Sequence, residues 1–510
     1  MGRIVNTSRL RLLIFAVILS GVLLSTMSWT DQKPKRFHTG EELMAIKGGD
    51  DPYALPWGSN SMFTGSGRCG GCHGIDPNEY ANITAKGWDV NPTELWRGTM
   101  MANAARDPFW RAKVSHEVAI NPEHQVALED KCTSCHAPLG HFAAYFDGAQ
   151  SYSIADMLVD SLALDGVSCG ACHQQDPDGL GDFFSGELTF QPDTIYGPYN
   201  APDDSVSPPV FNQPMVSFVG YDPVYGEHIH KSELCAACHT LITSTVDLEG
   251  EFTGGSFVEQ ATYHEWLNSS FNNEVTGKEC QGCHFPQLGE PVVVSSGYLF
   301  LQPREPFGLH YMVGGNTFML ELLKNNVEEL GLTASPDHFQ AVKDLTETQL
   351  QNATAEVIID ELNVDDDTAY YEVTIANLTG HKFPSGYPSR RAFLEFVVTG
   401  DSGDTLFQSG VLGDNYEVFG QNATYEPHYN MINDPEEVQI YEMVMGDVNG
   451  DVTTVLERAD HPIKDNRLVP LGFSTAHFAY DTVAIAGLAL DDADFNHLNG
   501  IEGSGTDAIR

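Results

Sequence analysis

The ten cysteines of this chain fall without remainder into five Cys-x-x-Cys-His motifs: Cys69/Cys72/His73, Cys132/Cys135/His136, Cys169/Cys172/His173, Cys235/Cys238/His239 and Cys280/Cys283/His284. Two thiols three residues apart can form thioethers with the two vinyl groups along one porphyrin edge. The next histidine then lies under the iron as its fifth ligand. Zinc does not account for the pattern. A zinc ribbon pairs two Cys-x-x-Cys knuckles per ion, so five leave one over, and nothing in that chemistry needs a histidine after every second cysteine. Redox dithiols do not need that histidine either. A disulfide framework needs no regular spacing, and a chain of 510 residues can build a core without one. Five covalently bound haem c groups are expected.

The remaining histidines, of 19 in all, are candidates for the sixth iron positions. His141 follows His136 by five residues, about 140° round a helix, so it cannot cap its own haem but can reach a neighbouring one. His228 and His230 closely precede Cys235 and suit an adjacent haem in the same way. His310 ends Phe307-Gly308-Leu309-His310, ahead of a Gly314-Gly315 pair that lets backbone approach a porphyrin face. His381, between Gly380 and Lys382-Phe383-Pro384, closes a predicted strand and so has a firm scaffold. No Ser/His/Asp set, phosphate loop or metal-hydrolase motif competes with these residues, and no catalytic residue is assigned.

Short, well-punctuated elements have to position these groups. Residues from about 61 to 330 are rich in Gly, Pro, Asp and aromatics, with long stretches that show no sustained period, so their packing is expected to come from porphyrins, around which short helices and loops collapse. Asn91-Pro92-Thr93-Glu94 starts a helix carrying Trp96, Met100 and Met101. Asp107-Pro108 restarts it and Asn121-Pro122 ends the next piece. Ser335-Pro336 opens a helix with Phe339, Val342, Leu345 and Leu350 on one face. From residue 353 the pattern alternates: Val357/Ile359, Tyr371/Val373/Ile375 and Leu394/Phe396/Val398 read as strands, the last followed by a turn at Asp401-Ser402-Gly403-Asp404. Asp447-Val448-Asn449-Gly450-Asp451 reads as an Asn-Gly hairpin turn, because its glycine is two positions early for a calcium loop. No terminal element is evident before Arg510, and a truncated C-terminus is conceivable on that reading. The fold class is α+β: an irregular, haem-packed, mostly helix-and-loop domain over 61–352, then a haem-free, β-sandwich-like domain over 353–510.

Residues 1–28 have the form of an export signal, with Arg3, Arg9 and Arg11 ahead of an apolar run from Leu12 to Leu24 and small residues up to Ser28. That run is short for a bilayer span, so cleavage is expected, leaving a leader over 29–60 and no transmembrane span in the mature chain. Export to the periplasm or cell surface is the consequence. The formal charge of −45, from 26 Lys+Arg against 71 Asp+Glu, excludes nucleic acid and anionic lipid as natural partners. Basic redox proteins are the partners such a surface would steer. Among the scarce cations, Arg68, Lys131, Lys231 and Lys278 each lie just before the first cysteine of a motif, where they could pair with haem propionates.

Several stretches carry a family resemblance: Asp165-Gly166-Val167-Ser168-Cys169, Ser232-Glu233-Leu234-Cys235, Phe307-Gly308-Leu309-His310 with Gly314-Gly315-Asn316, and Thr379-Gly380-His381-Lys382-Phe383-Pro384. With the number and order of the motifs, they resemble a family of exported bacterial pentahaem c-type cytochromes that end in a β domain and are distantly similar to hydroxylamine-oxidoreductase-like cytochromes. The resemblance implies electron transfer through closely packed haems, and favours His228, His310 and His381 as distal ligands. It says less of His116, His124, His141 and His264, among which His141 ranks first. Two other functions fit the motifs. One is a multihaem oxidoreductase acting on a small nitrogen or sulfur species at a haem with an open sixth position, although no lysine replaces a proximal histidine here. The other is a subunit of an extracellular haem conduit, for which an exposed sheet edge in the C-terminal domain would be the sign.

Overall fold

The computed structural model describes Phe37, Asp51 and residues 53–199, 211–365, 368–422 and 424–510. The export signal over 1–28 and most of the 29–60 leader lie outside the described residues. Among the described residues no helix is long and apolar enough to cross a membrane. The class is α+β, with short helices up to Ala353 and sheets of two or three strands, none closed into a barrel.

Local chemistry sets the helix ends. The Asn91 side chain accepts the Glu94 N–H at 2.8 Å, and Pro92 occupies the first helical position. This helix stops at Arg97, earlier than the expected run through Met100 and Met101. The cause is packing: a Cβ on Gly98 would sit 2.7 Å from the backbone of His338, so helix Pro336–Ala353 presses on a position where only glycine fits. Asp107 caps helix Pro108–Ile120 by accepting the Phe109 N–H at 2.8 Å. Phe339, Val342 and Leu345 form the buried face of Pro336–Ala353.

The haem-motif region contains a β-hairpin that the sequence pattern does not reveal. Thr240–Val246 pairs antiparallel with Phe252–Ala261, directly after His239. Its inward residues cross to the C-terminal third: Ala261 belongs to the apolar core of Ile375, Tyr441, Leu468, Phe473 and Val483, with Val258 packed against it. Phe257 joins Met443, Met445 and Ala459 in a second cluster.

The β-rich expectation for the C-terminal third takes the form of small sheets around that shared core. Ala369–Asn377 lies between Ala355–Val364 and Thr506–Ile509. The last residues thus form a strand, and Arg510 is tied to Glu372 and Asp494, where the sequence showed no terminal element. The turn at 447–451 joins two antiparallel strands, with Gly450 at φ +82°. Ala355–Val364 is an edge strand on which Val357 and Ile359 are 53% and 57% exposed. It also carries Glu356, Asp360 and Glu361, charges that oppose pairing with another strand.

Candidate functional site

Each motif histidine is carried at or just beyond a short helix. Ser66–His73, Gln125–His136, Cys169–His173 and Cys280–His284 all end on the motif histidine, while Glu233–Ala236 stops two residues before Cys238. All ten cysteines and all five motif histidines line one cavity of about 2070 Å³. A pocket for a single small ligand is ~300–1,000 Å³, so this one suits several large groups.

The motifs are interleaved within it. Thiols from different motifs lie close enough to influence one another's ionisation in three pairs: Cys69 with Cys169, Cys135 with Cys238, and Cys235 with Cys280. Imidazole orientation is set by backbone carbonyls. The Nδ1–H of His73 donates to Val294 O at 2.7 Å, that of His173 to Tyr196 O at 2.7 Å and that of His136 to Ala104 O at 3.2 Å, and His284 bonds Val313 O in the same way. Since a carbonyl only accepts, Nδ1 carries the proton in each and Nε2 is left as a free lone pair, the tautomer an axial metal ligand needs. Burial pushes His136 down to about 4, and burial with neighbouring imidazoles does the same to His239, so both rings are neutral at physiological pH. The Trp110 indole stacks on His136, with centroids 4.3 Å apart and planes at 5°.

The charge of the cavity wall is opposite to that of the chain. Arg68, Lys113, Lys131, Lys278, Arg304, Arg390 and Arg391 line it, against Asp107, Glu117, Glu259 and Glu279. In a protein with 71 acidic and 26 basic side chains, that excess of cations suits ligands bearing carboxylates. The residues present therefore fit haem c in attachment, iron coordination and propionate charge. Three of the four motif-adjacent cations, Arg68, Lys131 and Lys278, are on this wall, while Lys231 pairs with Glu279 at 3.5 Å.

The candidate distal histidines divide by position. His310 and His381 line the cavity with Nδ1 bonded to a carbonyl, Gly308 O at 2.9 Å and Lys382 O at 2.8 Å. The rings of His284 and His381 face one another at 6.3 Å between centroids with planes 16° apart. Two imidazoles bonded at about 2 Å to opposite sides of one metal ion have ring centres roughly 6 Å apart. His310 lies close to His73 and His173, and burial together with their proximity pushes it down to about 4. His230 also lines the cavity. His228 is off its wall, with Nε2 donating to Gln175 O at 3.1 Å. His141 is buried behind it, bonded to Thr133 Oγ1 at 3.1 Å and stacked on Tyr145. His264 contacts Thr240 Oγ1 at 3.3 Å, His124 bonds Glu457 at 2.8 Å and His116 contacts Lys113 at 3.3 Å.

One group of potential metal ligands converges elsewhere among the described residues: buried His428, Asp492 and Asp507. Its hydrogen bonds argue against a metal. The Gln439 side-chain oxygen accepts the Tyr429 N–H, so its NH₂ points at His428 Nδ1, 3.0 Å away; Asn466 Nδ2 donates to the same nitrogen at 3.1 Å. With Nδ1 accepting, the proton is on Nε2, which donates to Asp492 at 3.1 Å and has no lone pair for an ion.

Residues 68–174, which include the first three motifs, match the family model for cytochrome c554 and c-prime. No curated protein matches the chain at a significant level. A solved structure, the penta-haem cytochrome c552 from Thermochromatium tepidum, is similar at 19% identity with a TM-score of 0.43, covering 74% of this chain and 80% of its own. That likeness is too distant to argue from. The matched segment, and the two further motifs that open on the same cation-rich cavity, identify the chain as a multihaem c-type cytochrome.

Proposed function

We propose that the protein is an exported pentahaem electron carrier, working in the periplasm or at the cell surface and exchanging electrons with redox proteins, basic ones being favoured by its charge. The observation that carries this reading is the convergence of every cysteine and every motif histidine on one cavity. When bound, haem c supplies reversible one-electron iron chemistry. The chain supplies placement. The mutual influence of thiols of the first and third, second and fourth, and fourth and fifth motifs supports attachment points that lie near one another, and Cys172 of the third motif lies close enough to Cys235 and Cys238 to influence both. This layout supports a branched arrangement with the Cys235/Cys238/His239 site at its junction. The carbonyl-bound Nδ1 groups hold the imidazoles still, so that oxidation and reduction entail little rearrangement of ligands. For the distal positions we propose His381 opposite His284, His310 near the first and third motifs, and His230 in place of His228.

A second reading has one specific support. Among the described residues, three histidines outside the motifs line the cavity, for five motif histidines. An iron without an imidazole partner would offer an open position, as an oxidoreductase for small nitrogen or sulfur species requires. A reductive titration followed optically separates the two. The carrier takes up five electrons per chain, binds no carbon monoxide when reduced and does not turn over nitrite, hydroxylamine or sulfur oxyanions. Carbon monoxide binding to the unmodified protein together with turnover of one of these replaces the carrier with the enzyme.

A further inference from the structure

Four charged side chains that are not on the cavity wall form a closed, buried set beside His381. Lys382 is 0% exposed; its Nζ donates to Asp465 Oδ2 at 2.7 Å and to Ala484 O at 3.2 Å. Arg467 grips Asp465 with two bonds of 2.8 Å and reaches Glu265 Oε1 at 3.0 Å. Glu265, also fully buried, returns to the start: its Oε2 accepts the Lys382 backbone N–H at 3.1 Å and the Ser385 hydroxyl at 2.6 Å. Two cations and two anions thus alternate round a ring whose members come from helix Thr262–Leu267, the 381–385 segment and strand His461–Asp465 with its extension. Burying four charges costs several kcal/mol per ion before pairing, and such sets stabilise a fold weakly compared with apolar packing. What they do well is fix one geometry.

The geometry fixed here is that of the peptide following His381. On one side the His381 carbonyl accepts from Asn377 Nδ2 at 2.8 Å and Thr379 Oγ1 at 2.7 Å. On the other, the Lys382 N–H is held by Glu265, and Gly380 packs so closely on Trp266 and Phe271 that a Cβ would come within 3.2 Å of each. The histidine's own Nδ1 bonds the Lys382 carbonyl, one peptide further on, so the ring is tied to the same short segment that Glu265 and Asn377 hold.

We propose that Glu265, Arg467, Asp465 and Lys382 are positioning residues whose shared role is to hold the His381 imidazole at coordinating distance from the iron opposite His284. The proposal rests on the reading of His381 as a distal ligand. Its test uses the full-length, haem-loaded protein with three substitutions: His381→Ala, Glu265→Ala and Val438→Ala, the last a fully buried position in a separate apolar cluster with Val418 and Ile440. Low-temperature electron paramagnetic resonance of the oxidised form and carbon monoxide binding to the reduced form are measured alongside the thermal midpoint. His381→Ala converts one haem equivalent to high spin and opens it to carbon monoxide, and added imidazole restores the low-spin signal. Glu265→Ala does the same for a large fraction of that haem, while Val438→Ala lowers the midpoint and leaves every haem low-spin. If Glu265→Ala does not yield loaded protein, Glu265→Gln, which keeps the volume and loses the charge, is read identically. A low-spin, carbon monoxide-inert Glu265 variant beside an open His381→Ala overturns the positioning role. A closed His381→Ala overturns the ligand assignment itself.

Discussion

The two parts of the molecule are held together differently. In the motif-bearing part, the buried apolar side chains form several small, separate groups, such as Met62 with Phe63 and Leu139, Leu320 with Leu323 and Phe339, and Val90 with Val292 and Phe307, set around a cavity. In the C-terminal third one larger contiguous group, including Ile375, Tyr441, Leu468, Phe473 and Phe495, takes in Ala261 of the 240–261 hairpin and is accompanied by smaller clusters. Protein alone completes the second core. The small groups of the first surround the cavity lined by the Cys-x-x-Cys-His motifs, where porphyrin plates would supply further apolar mass. On the proposed reading, haem is part of the core in the motif-bearing part, whereas the C-terminal third builds its core from side chains and reaches a haem only through His381.

The largest consequence concerns folding without haem. Expressed in a host lacking cytochrome c maturation, residues 61–352 lose a driving force larger than the ~5–15 kcal/mol that holds a typical domain. Limited proteolysis is expected to cut throughout that part while fragments from the C-terminal core persist. Equal resistance of both parts would erase the contrast.

Truncation after residue 350 sharpens it from the other side. The cut removes Lys382, Ser385 and Arg467, which hold the Glu265 carboxylate, together with the segments packed over it. Covalent haem attachment should be retained in full, the thermal midpoint should fall, and one haem should become high-spin for want of His381. The boundary near 353 marks a change in cofactor content, although the 240–261 hairpin on its motif-bearing side shares a core with the C-terminal third.

A smaller effect appears in acid. Burial alone would raise the Asp465 carboxyl, but Arg467 and Lys382 outweigh it and hold it at about 2. A folded value below the unfolded one contributes stability that is present above about pH 4 and lost as the pH falls towards 2, roughly 2–3 kcal/mol. Asp465→Asn should flatten that limb of the stability–pH curve, at the cost of a lower plateau near neutrality. An unchanged acid limb would mean that the ring is not what acid dissolves.

Chemistry close in sequence was legible, and chemistry between distant segments was not. The motifs, the Asn91 and Asp107 caps and the Asn449-Gly450 turn depend on neighbours a few residues away, and each reads directly from the chain. The hairpin after His239 is hidden because two register shifts interrupt its alternation. The strand at 506–509 is short, and its partner lies over 373–376. The ring around Lys382 joins residues that no local pattern connects. The choice between His228 and His230 depends on the 3₁₀ turn Glu227–His230, which sends two histidines two residues apart in different directions.

The central claim, that the cavity is a compartment for five covalent haems, is tested most directly by intact-mass spectrometry of the matured protein combined with pyridine haemochrome quantification. The account predicts five haem additions per chain, falling to four when Cys169 and Cys172 are both replaced by serine. A fully matured protein carrying four or fewer, or a double variant that keeps the unmodified count, would contradict it.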